Sequence, residues 1–320
     1  MNCGRIELGI SLNNTCNFKC RMCNIWQHDR HQNRLDFKSS CDIIDSLADF
    51  DVKGVRLSGG DPFLVSWSVD LAAYIKRKGY HLIATTNGSM ITENFAKRIS
   101  ETGIDNINLS LDARNPETHD SIRGAPGSYE NIFKSIGHLS AYGKGLNIGI
   151  NTVISNLNMH EIIPLTELVQ KDNRIGHIYF MAIMQPFGTK AEREWFAKDE
   201  FCFLWPKDKG LTASVLNQLI KFKESDCKVN NSVAQLKTFL DYFKNPLNFV
   251  RKNKCNLGNE AAEVNQLGDV YLCYQHDSIG NIFDKDFTDI WSSGQAENAR
   301  KKIRDCKQNC NLLINCYFEE

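Results

Sequence analysis

Apolar and polar residues alternate with a period of two in several short segments of the chain. Ile6, Leu8 and Ile10 alternate with polar or small residues, and the same pattern returns at 107–111 and 146–150. This period predicts β-strands that bury one face. The predicted strands cover residues 5–12, 53–58, 81–86, 104–112, 146–154 and 177–185.

The segments between these strands carry apolar residues at helical spacing. Ile43, Ile44, Leu47 and Phe50 recur at i, i+1, i+4 and i+7, and the run 132–139 repeats the pattern. Strands that alternate with helices predict βα units and a parallel sheet.

The two faces of the predicted strands differ in polarity. A barrel with a structural core fills its lumen with large aliphatic residues, whereas here only the helix-facing positions are aliphatic. We therefore predict an α/β fold, a partial (β/α)6 TIM-like barrel whose polar lumen is the active-site cavity.

The pattern changes after residue 190. Polar helical stretches at 213–225 and 232–243 lead to a cysteine-bearing tail, in which 268–273 predicts a short strand and 287–304 a closing helix. The predicted domains are the barrel (1–190), a helical insert or linker (191–250) and a small cysteine-rich domain (251–320).

Composition and charge limit the class of partner. The chain has 320 residues, 42% of them apolar, and its 38 Lys and Arg balance 38 Asp and Glu. This charge balance disfavours nucleic acid and anionic membrane as partners. The chain shows neither a signal peptide nor an apolar run of membrane-spanning length, so we expect a cytoplasmic protein. Its twelve cysteines then favour metal or cluster ligation over disulfides.

Cys16, Cys20 and Cys23 form a C-x3-C-x2-C pattern just after the first predicted strand. Active sites of barrels lie at the carboxyl ends of their strands. Three thiolates hold three irons of a [4Fe-4S] cube and leave one iron open for a substrate or cofactor. The alternatives are free thiols or a zinc site, which needs a fourth ligand; His28 and His31 are near in sequence.

These cysteines, with further motifs in a fixed order, resemble those of the radical S-adenosylmethionine (SAM) enzymes. The CxxxCxxC motif stands at 16–23 with Met22 where the family often has an aromatic residue, and Ser58-Gly59-Gly60-Asp61-Pro62 looks like the family's GGEP loop. Further matches are 86–88, 110–112 and 119–124. The resemblance covers about residues 5–185.

The resemblance implies a SAM site and a mechanism. The implied SAM-binding residues are Ser58, Gly59, Gly60, Asp61, Asn87, Ser110, Arg123 and Asn151. In such enzymes a reductant such as flavodoxin or ferredoxin reduces the cluster, SAM is cleaved, and a 5′-deoxyadenosyl radical abstracts a hydrogen atom from the substrate.

The tail resembles the SPASM and twitch domains that follow the barrel in this family. The similarity lies in Cys255-x12-Gly268-x4-Cys273, followed by Cys306-x3-Cys310-x5-Cys316. Five thiols suffice for one four-cysteine cluster but not for two, so we expect one auxiliary [4Fe-4S] cluster. Cys255, Cys273 and Cys310 with either Cys306 or Cys316 would complete it; the alternative is a structural zinc.

The substrate stays open between three hypotheses. The first is oxidation or epimerisation of a small metabolite or sugar, with Tyr274, His276 and Asp277 as candidate proton acceptors. The second is cross-linking or epimerisation of a peptide. The third, from another class, is an iron-sulfur electron carrier or scaffold.

Overall fold

The structure, a computed structural model, describes residues 6–27, 33–189, 192–225, 227–250 and 255–316. Cys3, His28 and His31 lie outside these residues. All six predicted strands are present, and their ends lie within three residues of the predicted ones. The strands are β1 (Ile6–Ser11), β2 (Val52–Ser58), β3 (Leu82–Thr86), β4 (Asn106–Ser110), β5 (Asn147–Ile154), β6 (His177–Ala182), β7 (Ala261–Val264), β8 (Asp269–Tyr271) and β9 (Gly280–Asn281).

Helices connect the strands, and several begin at a polar capping residue. Asp36, Asn115 and Ser293 each accept a hydrogen bond from a backbone N–H of the first helical turn. None of the helices in the described part of the chain is both long and apolar enough to cross a membrane. The helices are α1 (Phe37–Asp45), α2 (Ser68–Arg77), α3 (Glu93–Glu101), α4 (Pro116–Arg123), α5 (Ser128–Tyr142), α6 (Ile162–Lys171), α7 (Lys209–Glu224), α8 (Val233–Lys244), α9 (Leu257–Glu260), α10 (Phe287–Trp291) and α11 (Gly294–Arg304).

The strands form one sheet in the order β6-β5-β4-β3-β2-β1-β7-β8-β9. Neighbours from β6 to β7 pair in parallel, and β7, β8 and β9 pair antiparallel. The helix-facing residues Ile6, Leu8 and Ile10 are fully buried, whereas Thr85 and Tyr179 on the opposite face are partly exposed. The sheet is therefore an open, partial barrel with an accessible polar lumen, as the alternation predicts.

The tail departs from the prediction in two places. Strand β7 was not predicted, and it extends the barrel sheet by pairing with β1, with Glu263 opposite Gly9. The prediction of a single closing helix over 287–304 is wrong, because the helix is interrupted between α10 and α11. There the Ser293 hydroxyl caps α11 by accepting a hydrogen bond from Ala296 N.

Side-chain amides cover the free edge of β6. Asn231 accepts from Phe180 N and donates to Phe180 O, and Asn315 makes the same pair of bonds with Ala182. Both asparagines are fully buried. Asn315 belongs to a π-helical turn, Leu312–Cys316, so this edge contact brings the end of the tail against the barrel.

Candidate active site at the carboxyl ends of the strands

Three cysteines meet in the loop after β1. Cys20 is buried, and Cys16 and Cys23 are partly exposed. Burial raises the pKa of all three thiols, to about 11 for Cys23, and the charges of Cys20 and Cys16 act on Cys23 in the same direction. The three thiols are therefore close enough to share one site.

The donor chemistry of this loop fits an iron-sulfur cube. Within the described ranges, no group of three or more His, Cys, Asp or Glu side chains surrounds a position for a single metal ion. A cube takes one thiolate on each of several irons, so its ligands are neighbours without converging on one atom. Three neighbouring thiols in one loop match that requirement.

The Gly59-Gly60 loop packs directly against the cysteine loop. Gly60 N donates to Asn13 O at 3.0 Å, and Asp61 N donates to Thr15 O at 3.0 Å. A Cβ on Gly60 would overlap the Thr15 carbonyl, and one on Gly59, whose φ is +126°, would overlap the Asn13 carbonyl. These glycines are therefore required by the close approach of two backbones.

Asp61 connects this loop to the end of β3. Its carboxylate accepts from Phe63 N at 3.0 Å and from Thr86 Oγ1 and Asn87 N at 2.8 Å each. Burial raises the pKa of Asp61, although these donors lower it. The Asn87 amide in turn donates to Asn17 Oδ1 at 2.9 Å and lies 3.7 Å from Cys16 Sγ. One buried carboxylate thus positions a side chain at the thiols.

Arg123 approaches a different thiol, that of Cys20. It is the last residue of α4, which Gly124 ends in the left-handed conformation, in close contact with the Lys19 carbonyl. Its Nε lies 2.7 Å from Asp112 Oδ2, and its Nη1 lies 3.9 Å from Cys20 Sγ. Burial lowers the pKa of Arg123, but Asp112 and Cys20 raise it by more, so it stays charged.

The remaining predicted SAM residues lie on the lumen face. Ser58 Oγ is 3.5 Å from Ser11 Oγ at the ends of β2 and β1. Ser110 and Asn151 are register partners on β4 and β5, and both are partly exposed. Seven of the eight predicted positions therefore lie on the strands or in the loops that follow them, and the eighth, Arg123, reaches Cys20 from the end of α4.

Charged and aromatic residues line the lumen below the cysteine loop. Arg56 on β2 pairs with Glu7 on β1 and with Glu263 on β7. Tyr274 interacts with Ser11, Glu263 and Arg56, and burial raises its pKa. The tail thus contributes Glu263 and Tyr274 to the barrel cavity.

The other two predicted proton acceptors lie elsewhere. His276 has its pKa lowered by burial and by the positive charge of Lys302 on α11. Asp277 is exposed. Of the three candidates, Tyr274 is therefore the one with contacts to lumen residues.

Four of the five tail cysteines interact with one another. Burial and the charges of Cys273, Cys255 and Cys306 raise the pKa of Cys310 to about 12, and burial with Cys255 and Cys306 raises that of Cys273 to about 11. Cys316 has different neighbours: burial raises its pKa to about 11, and the charged groups acting on it are Arg56, Glu263 and Glu7. Cys316 therefore lies with the lumen residues.

Two residues of the site were not identified from the sequence. Asn13 is buried, accepts from Thr15 N and Gly60 N, and donates to Asp61 O. Its place after the alternating residues of β1 was the only available signal. Glu263 lies in β7, whose short all-buried pattern gave no sign of a strand.

Two family models match the chain. The radical SAM superfamily matches residues 10–169, and the iron-sulfur cluster-binding domain called SPASM matches residues 255–317. The chain is 24% identical over 299 residues to the Fe-coproporphyrin III synthase of Methanosarcina barkeri, an alignment of 87% of this chain and 71% of the relative.

Two solved structures show the same fold at low identity. SuiB of Streptococcus suis bound to S-adenosylmethionine has a TM-score of 0.73 at 18% identity, covering 95% of this chain and 68% of SuiB. The anSMEcpe structure with bound AdoMet and Cp18Cys peptide has a TM-score of 0.69 at 16% identity, covering 98% of this chain and 88% of that one.

The match at 10–169 spans half of the chain and includes the cysteine loop, the Gly59-Gly60 loop and Arg123. Domains of this kind bind a [4Fe-4S] cluster and SAM, and the SPASM domain binds auxiliary iron-sulfur clusters. The chain belongs to the radical SAM superfamily and has a C-terminal SPASM domain.

Proposed function

We propose that the protein is a radical SAM oxidoreductase or epimerase that acts on a small polar metabolite or sugar in the barrel lumen. The observation that carries this proposal is the polar lumen directly below the three thiols, with Arg56, Glu7 and Glu263 in its wall. When bound, the cluster supplies the electron that cleaves SAM to methionine and a 5′-deoxyadenosyl radical, which takes a hydrogen atom from the substrate.

The chain's own residues would bind, orient and shield the reactants. In this proposal Cys16, Cys20 and Cys23 hold the cluster. The SAM-binding residues would be Ser58, Gly59, Gly60, Asp61, Asn87, Ser110, Arg123 and Asn151. Tyr274, which interacts with Ser11 at the end of β1, would face the substrate. Polar groups held by such contacts fix a substrate without needing to reorganise.

The experiment is anaerobic reconstitution followed by measurement of 5′-deoxyadenosine with dithionite or flavodoxin as reductant. We expect the wild type to cleave SAM and the Cys16→Ala, Cys20→Ala and Cys23→Ala variants to be inactive. Absence of cleavage by the reconstituted wild type would refute the enzyme proposal and favour the electron carrier. A small polar metabolite or sugar that is the substrate should stimulate cleavage. Oxidation would yield a product with two hydrogens fewer, whereas epimerisation would yield a product of unchanged composition that carries a new hydrogen at the inverted centre.

A peptide substrate is the second candidate, and one exposed residue favours it. Phe187 is 51% exposed, its backbone bridges to Cys23, and its ring packs edge-on against Tyr274 at 5.6 Å. An exposed aromatic ring between the thiols and the lumen suits an apolar peptide side chain. The SuiB and anSMEcpe structures were solved with peptides bound. Stimulation by peptides but not by sugars or amines would select this candidate.

We also propose that Cys255, Cys273, Cys306 and Cys310 hold one auxiliary cluster. Their mutual charge interactions support this set, and the lumen neighbours of Cys316 argue against its membership. With two [4Fe-4S] clusters the wild type should carry about eight irons per chain. Cys306→Ala should lose about four of them and Cys316→Ala none. About four irons in the wild type, or equal losses in both variants, would contradict the proposal.

The wider organisation follows from these assignments. We propose a barrel domain over 1–190, a helical insert or linker over 191–250 and the auxiliary-cluster domain over 251–320. Low-potential clusters need a one-electron reductant, for which flavodoxin or ferredoxin is suited. Free thiols persist in a reducing compartment, so the proposal places the enzyme in the cytoplasm.

A further inference from the structure

The Arg123 guanidinium lies between a buried carboxylate and a cysteine sulfur. Its side chain is 11% exposed and that of Asp112 is fully buried. The Nε–Oδ2 distance to Asp112 is 2.7 Å, and Nη1 lies 3.9 Å from Cys20 Sγ. A buried arginine with one partner already in place is oriented by that partner.

Asp112 is itself fixed by several bonds. Its Oδ1 accepts from Val153 N at 3.1 Å, its backbone N donates to His119 Nδ1 at 3.1 Å, and its carbonyl accepts from Asn158 at 2.8 Å. These bonds hold the Asp112 carboxylate in place. It holds the guanidinium at the sulfur.

Backbone contacts fix the cysteine loop against the same helix. Arg21 N donates to Ile122 O at 2.9 Å, and Gly124 contacts the Lys19 carbonyl so closely that a Cβ would overlap it. The distance between the Arg123 side chain and Cys20 is thus set from both sides.

We infer that Arg123 is a positioning residue that raises the reduction potential of the cluster on Cys16, Cys20 and Cys23, and that Asp112 moderates this effect. Reduction adds one electron to the cluster, and a cation held at a ligand sulfur in a poorly solvated site stabilises that added charge. The inference rests on the proposed ligand set and goes beyond SAM binding as a role for Arg123.

The test is an EPR-monitored redox titration of the reconstituted protein without SAM. The relevant signal is the one that changes when SAM is added to a second sample, which separates it from the auxiliary cluster. Arg123→Gln should lower the one-electron reduction constant at least tenfold, a fall of about 59 mV. Asp112→Asn should raise the potential, because the arginine charge is then uncompensated.

Three further variants complete the design. Arg123→Lys keeps the positive charge, so its one-electron reduction constant should stay within threefold of the wild-type value. The Arg123→Gln/Asp112→Asn double variant removes both charges, avoids an unpaired buried carboxylate, and should lie between the single variants. Lys19→Gln is the matched control: it removes an exposed charge from the same loop, where solvent screens it, and should shift the constant less than threefold.

The outcomes are distinguishable from those that test the proposed function. A wild type without the SAM-sensitive cluster would refute the ligand set on which the inference rests. If the cluster forms, but Arg123→Gln weakens SAM binding at an unchanged potential, Arg123 acts on SAM alone and the inference is overturned. Shifts of the same sign in Arg123→Gln and Asp112→Asn would also overturn it.

Discussion

Gly60→Ala tests whether the Gly59-Gly60 loop positions the cysteine loop. The added Cβ would overlap the Thr15 carbonyl and lie 2.9 Å from Thr15 N, although Cβ atoms essentially never approach other atoms within 3.0 Å. Backbone cannot rotate away as a side chain can. The added Cβ would lie 2.0 Å from Thr15 O, whereas ordinary van der Waals contact begins at 3.4 Å. The cysteine loop must therefore shift by roughly 1.4 Å or more to relieve the overlap.

The magnitude follows from the cost of overpacking. Such strain is typically about 1–3 kcal/mol, which corresponds to a loss of about 5- to 150-fold in the constant for cluster binding at this loop. A displacement of even about 1 Å costs on the order of 100-fold in rate where reacting groups must be aligned. SAM cleavage should therefore fall more than iron content does.

The assay measures iron per chain, the EPR signal of the SAM-sensitive cluster and the rate of 5′-deoxyadenosine formation. Iron at the auxiliary cysteines should be unchanged. Gly137→Ala in α5 is the control, because outside the helix's own neighbouring backbone no atom lies within 4 Å of the added Cβ. Alanine there should stabilise the helix by about 0.5–1 kcal/mol. Wild-type iron content and cleavage rate in Gly60→Ala would refute the reasoning.

Three other substitutions give separate tests. Burial lowers the pKa of His119 from 6.5 to about 3. The neutral imidazole therefore supports the folded state fully above pH 6.5, and this contribution declines as the pH falls toward 3. Between pH 7 and 5 the free energy of unfolding in urea should fall by about 2 kcal/mol more in the wild type than in His119→Gln. Tyr274→Phe removes the hydroxyl that interacts with Ser11 and should cost about 1 kcal/mol by thermal unfolding, with SAM cleavage in the absence of substrate unchanged. Asn231→Ala leaves the buried N–H and C=O of Phe180 without these partners and should lower the free energy of unfolding by about 2–4 kcal/mol, whereas a change below about 0.5 kcal/mol would show that the edge of β6 finds other partners.

Local pattern predicted the barrel strands well because a half-buried strand repeats every two residues. Strand β7 escaped because its four residues, Ala261–Val264, are all buried and show no alternation. Its place in the sheet depends on pairing with β1, some 250 residues earlier in the chain. No local signal carries a contact of that sequence separation.

The site residues also differ in whether a local motif or a long-range contact marks them. Motif spacing selected the cysteines, the two glycines and Arg123 as candidates, because each motif is short and continuous, and the structure brings these residues together. It did not identify Asn13, whose bonds to Gly60 and Asp61 span 47 and 48 residues. It also did not show that the glycines are needed by the Asn13 and Thr15 backbones, since that need exists only once the loops are packed.

The tail cysteines show why spacing left one choice open. Cys306 and Cys316 are both within a few residues of Cys310, so either could complete a set of four. The difference arises from Asn315, whose amide bonds to Ala182 hold the π-helical turn against the barrel. Because Cys316 directly follows Asn315, its thiol lies near the charged lumen residues. Cys306 lies near Cys255, Cys273 and Cys310 instead. The contact that separates the two cysteines is therefore an edge contact of β6, made by a residue that is not itself a ligand candidate.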